Sequence, residues 1–124
     1  MEWPVRGEWL AQVREAPLEP DLPIVDAHHH LWNLPHDIYL LDDFLGDADP
    51  ARGGHNVVAS VFAECGAMYR PDGPAELRSI GEVEFANGVG AQAASGAFGP
   101  VQACTAIFGS GDLMLGEGVG RVLE

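Results

Sequence analysis

The stretch Leu22-Pro23-Ile24-Val25-Asp26-Ala27-His28-His29-His30-Leu31-Trp32 decides how this chain is read. β-Branched and apolar residues lie between a proline and a polar cluster, so the stretch predicts a short strand whose far end carries three histidines. Side chains alternate across a strand, which puts Asp26, His28 and His30 on one side and Ala27 and His29 on the other. Two neutral imidazoles at that spacing can reach one divalent cation, and a nearby carboxylate can hold a ring nitrogen's tautomer. At the C-terminal end of a strand, this face looks into the crevice where α/β proteins place their ligands. An H-x-H pattern also arises by chance, and three adjacent histidines equally suit a solvated turn. The residues alone leave both readings open.

Working outward, Trp9, Leu10 and Val13 fall at helical spacing within 7–16, and Pro17 and Pro20 forbid continuation, which predicts a short helix. From Leu31 to Gly54 the chain mixes Trp, Pro, Asp and Gly and reads as a long connection with little regular structure, with one helical candidate around Leu40 to Leu45. The run from Asn56 to Cys65 is almost continuously apolar, the pattern of a strand covered on both faces in a parallel sheet. Ser79 and Glu82 have the spacing of a capping box, opening a helix that should stop by Gly96, Gly99 and Pro100. Gly81, Gly88 and Gly90 each weaken that helix by roughly 1 kcal/mol relative to alanine if they lie in its interior. Val101 to Phe108 reads as a third strand, 109–112 as a turn, and Val119, Val122 and Leu123 as a last helical pattern. Strand, helix, strand, helix implies parallel crossovers and an α/β layer arrangement in one domain spanning 1–124.

Composition narrows the partners. Nineteen acidic against six basic residues give a formal charge of -13, a field that repels phosphate backbones and anionic lipid surfaces. Nucleic acid and membrane are therefore poor partners, and no apolar run approaches the roughly 20 residues of a bilayer span. Residues 1–6 lack the basic start and apolar stretch of an export signal. Cys65 and Cys104 fall in apolar runs and read as small buried hydrophobes, which fits a reducing cytoplasm.

The opening stretch at 22–32 resembles the first strand of amidohydrolase-related enzymes. Three further stretches, Tyr39 to Asp43, Gly54 to Arg70 and Gly81 to Val89, look like the lactonase-like branch of that superfamily, so the likeness covers most of the chain. It implies a (β/α)8 TIM barrel of which this chain holds about the first three βα units, an N-terminal portion. His28 and His30 would be metal ligands, Asp26 a supporting residue, and zinc the metal. Similar enzymes complete the site with later histidines or a lysine and a late aspartate, but no histidine follows His55 here. The implied activity is metal-dependent hydrolysis of an ester, lactone or amide in a small molecule, with this chain inactive alone.

Decarboxylation within the same superfamily is an alternative, as is a noncatalytic metal-binding fragment or pseudoenzyme half. A phosphoesterase on another H-x-H barrel is a third, against which the stretch from Glu64 to Arg70 argues. Among other residues, Glu64 ends the second strand on the rim where barrels carry their chemistry and is a candidate catalytic carboxylate, or simply solvent-facing. Trp32, Tyr69 and Arg70 are substrate-binding candidates, although a loop arginine also pairs with local carboxylates and a tryptophan also packs. His36 is a weaker candidate for a substrate contact and His55 reads as a turn residue. The sheet edge after the third strand should invite self-association.

Overall fold

The computed structural model describes residues 7–13, 15–51 and 55–124. The reading of 1–6, Arg14 in the first expected helix and residues 52–54 at the end of the expected long connection lie outside these. The β-branched and apolar stretches form three strands, β1 (Ile24–His29), β4 (Val57–Ala63) and β5 (Gln102–Phe108), in a parallel sheet of order β1-β4-β5. Between the first two, Trp32–Leu34 (β2) and Asp37–Tyr39 (β3) pair as an antiparallel hairpin, with Trp32 opposite Tyr39. Helix α2 (Leu41–Ala48) follows the hairpin, and α3 (Ile80–Ala94) bridges β4 and β5. A four-residue helix α1 (Gly7–Leu10) precedes the sheet, and α4 (Gly120–Leu123) follows a 3-10 stretch at Leu113–Val119.

Both crossover helices cover the same face of the sheet. Leu41, Phe44, Leu45 and Ala48 of α2 join Ala86, Val89 and Ala93 of α3 in one buried cluster with Phe62, Leu31, Val101 and Cys104. Paired residues of a parallel ladder point the same way, so Asp26 with Ser60, and His29 with Phe62 and Ile107, belong to this covered face. Val25 with Ala59, Val61 with Ala106, and Ala63 with Phe108 belong to the other. That second face is bare among the described residues: Phe108 is 71% exposed and Val25 60%.

Three sequence expectations change. The first helix ends at Leu10, well short of Ala16. The connection from Leu31 onward is more regular than expected, because Pro35 and His36 form a turn that lets the flanking β-formers pair as the β2–β3 hairpin. The capping box does not close: Ser79 has helical φ/ψ and no capping bond, its Oγ donates to the Ser110 carbonyl, and Glu82 turns to a different loop. Two of the three glycines in α3 serve contact. A Cβ on Gly81 would lie 2.5 Å from the Met68 carbonyl oxygen and one on Gly90 3.1 Å from that of Cys104, whereas Gly88 has nothing within 4 Å.

Candidate metal site at the end of the first strand

The histidine triplet splits between the two faces. His28 and His30 bring their Nε2 atoms to 3.2 Å of each other, with the rings edge to face at 84°. His30 Nδ1 donates to the Ala63 carbonyl at the end of β4, at 2.8 Å. That bond places the proton of a neutral His30 on Nδ1 and leaves the Nε2 lone pair facing His28. Two nitrogens each about 2.0–2.1 Å from a tetrahedral zinc stand roughly 3.3 Å apart, so the observed separation suits two corners of one coordination tetrahedron. Among the described residues no group of three or more His, Cys, Asp or Glu side chains could hold a metal. Two nitrogens fill only two of the four positions of a tetrahedral zinc shell.

His29 is a core residue. It is buried, stacks on Phe44 with ring centroids 4.4 Å apart and meets Phe62 edge-on. Its Nδ1 bonds the Val61 carbonyl at 3.0 Å and its Nε2 lies 3.7 Å from the Cys104 thiol. Burial lowers its pKa, opposed by the Val61 bond, which keeps a neutral ring in the core.

Asp26 departs from strict alternation. The β1–β4 register shifts between Asp26 and His29, so β1 advances three residues where β4 advances two and Asp26 joins the covered face with His29. Its carboxylate Oδ1 accepts the His28 backbone N–H at 3.1 Å and the side chain lines a recess of about 150 Å³ with His29, Tyr39, Phe44 and Asp47. Asp26 thus braces the main chain of β1 at His28, instead of sharing the face of His28 and His30 as strict alternation predicts.

The remaining candidates are spread along the rim. Glu64 is exposed, one residue beyond the carbonyl that holds His30, and its N–H donates to the Phe108 carbonyl at 2.9 Å. Trp32 packs its ring 6.4 Å from His30 and 5.7 Å from Tyr39, with a buried Nε1–H that has no partner among the described residues. Tyr69 lines a separate cavity of about 310 Å³ with Glu76, Ser79, Ser110, Asp112 and Leu115. Arg70 is engaged by both oxygens of Glu84, through Nε at 3.1 Å and through Nη2, the local pairing that competes with a substrate carboxylate. His36 sits in the hairpin turn, and His55 precedes β4 at the end of the sheet opposite the histidine pair.

Sequence reasoning missed Glu82. This carboxylate is 1% exposed; its Oε1 accepts the N–H groups of Cys65 and Ala67, both at 2.9 Å, and its Oε2 has no partner among the described residues. The signal was present as an acidic residue on the apolar side of α3, but its spacing from Ser79 matched a capping box equally well. Cys65, expected in the core, is exposed, and burial followed by the Glu82 carboxylate raises its pKa. Among the described residues no helix is long and apolar enough to cross a membrane.

Comparison with family models, with curated proteins and with solved structures gives no match to this chain. The family likeness rests on the stretches quoted from the sequence.

Proposed function

We propose that this chain carries the first metal-ligand pair of an amidohydrolase-type hydrolase acting on an ester, lactone or amide in a small molecule. The observation that carries the reading is the 3.2 Å convergence of His28 Nε2 and His30 Nε2 at the C-terminal end of a strand in a parallel sheet. A divalent cation, zinc by the nitrogen donors, would supply there a bound water of lowered pKa and polarisation of the scissile carbonyl. His28 and His30 would hold it, the Ala63 carbonyl orients the His30 ring, and Asp26 fixes the main chain at the His28 N–H. Glu64, next along the chain from Ala63, would carry a proton, and the Trp32 ring, packed 6.4 Å from that of His30, would line the substrate's approach to the pair.

The fold reading supports a partial (β/α)8 barrel. Sequence-adjacent parallel strands with both crossover helices on one face leave the other face apolar and, among the described residues, bare. A parallel sheet is stable when both its faces are covered, and a barrel covers the inner face with its own remaining strands. Three strands supply a minority of those, so activity belongs to a protein that carries the rest.

A noncatalytic metal-binding piece is the second reading, favoured by the absence of a third ligand among the described residues. Zinc retention after dialysis and lactone turnover, measured on this chain and on the His28→Ala, His30→Ala double variant, test both. The hydrolase reading expects zinc held by the wild type, lost in the variant, and no turnover by the chain alone. Equal zinc in the two proteins overturns the ligand assignment; turnover by the chain alone overturns the claim that activity needs further strands.

A further inference from the structure

We infer that Glu82 is a positioning residue for the histidine pair, acting through the loop that leaves β4. The inference rests on the proposed metal site but starts from an independent observation, a fully buried carboxylate that gathers two backbone N–H groups from another element. Oε1 takes the Cys65 and Ala67 N–H groups, both at 2.9 Å, which pins residues 65–67 against the first turn of α3. Two hydrogen-bond routes run from that clamp to His30. Cys65 Sγ donates to the carbonyl of Leu31, the residue after His30, at 3.6 Å. On the other side of Glu64, the Ala63 carbonyl accepts from His30 Nδ1 at 2.8 Å.

Both routes need the chain to leave β4 along one path, because the carbonyl that fixes the His30 tautomer lies only two residues before the clamped Cys65 N–H. Close packing reinforces the path: Gly81, next to Glu82, lets α3 approach within contact of the Met68 carbonyl and the Arg70 N–H. Met68 itself has a φ of 55°, outside the region its side chain favours, so the loop is held in a conformation it would not adopt alone. The shielded Oε2, without a partner among the described residues, is a cost, and such costs concentrate where geometry serves a site.

The clamp is tested by placing Glu82→Asp, which keeps the charge but is one methylene too short to reach both N–H groups, beside Glu82→Gln, which keeps an acceptor at the same reach. Long-range proton–nitrogen spectra of the neutral His30 ring report its tautomer, a property that a general loss of stability does not set, and zinc titration reports the pair's affinity. The wild type and Glu82→Gln are expected to show a single His30 tautomer protonated on Nδ1. In folded Glu82→Asp the ring should populate both tautomers, and zinc affinity should fall by about tenfold or more, the effect typical of losing a group that orients a ligand. An unchanged His30 tautomer in Glu82→Asp overturns the inference. Failure of the wild type to bind zinc would sink the metal site while leaving the tautomer comparison to decide on Glu82.

Discussion

His30 and Ala63 are joined across the first two strands by a 2.8 Å bond from imidazole Nδ1 to a strand-end carbonyl, and that bond determines which nitrogen His30 presents to His28. Which ring nitrogen His30 leaves unprotonated is thus set by its neighbour's backbone. A side-chain substitution at Ala63 that preserves β4 should leave the pair intact, whereas anything that moves the end of β4 should disturb it.

Gly81→Ala and Gly88→Ala should change stability in opposite directions. A Cβ at position 81 would meet backbone atoms at 2.5 and 2.7 Å, and one at 88 meets nothing within 4 Å. Denaturant titration should show Gly88→Ala stabilised by up to about 1 kcal/mol and Gly81→Ala destabilised; equal effects would contradict the packing of α3.

The two faces of the sheet should respond differently to loss of an aromatic ring. Phe62 is fully buried under the helices, so Phe62→Ala should cost about 3–5 kcal/mol. Phe108 is 71% exposed on the bare face, and Phe108→Ser should stay within about 0.5 kcal/mol while reducing concentration-dependent association in sedimentation velocity. A large stability loss in Phe108→Ser would mean that this face is already covered.

Alkaline pH should weaken the fold through Cys104. Burial pushes this thiol from 9.0 up to about 11, so the unfolded chain loses its proton first. The contribution is fully present below the unfolded value, falls as pH rises from about 9, and is gone above about 11. Cys104→Ala should flatten stability across that window, and native Cys104 should resist alkylation that the exposed Cys65 undergoes more readily. Identical pH profiles for the two proteins would refute the assignment.

Much of the fold was legible because each parallel strand is a run of β-formers bounded by breakers, and the strands at 24–29, 57–63 and 102–108 fall within the stretches 22–32, 56–65 and 101–108 read from the sequence. The hairpin at 32–39 was obscured by its three-residue strands, too short for a periodic signal. At the site, the spacing of His28 and His30 was readable but the side taken by Asp26 was not, because a register shift reverses alternation without any mark in composition. Glu82 illustrates the same limit. A carboxylate in the first turn of a helix suits a cap, a solvated face or a buried clamp, and only tertiary contact chooses between them.

The central claim, that His28 and His30 share one cation, is most directly tested by titrating the chain with cobalt(II) while following all five histidine ring resonances. The signals of His28 and His30 should shift or broaden together with one midpoint at one equivalent, while those of His36 and His55 respond later or not at all. Cobalt that perturbs His36 or His55 first, or perturbs His28 and His30 at different concentrations, would contradict a shared site.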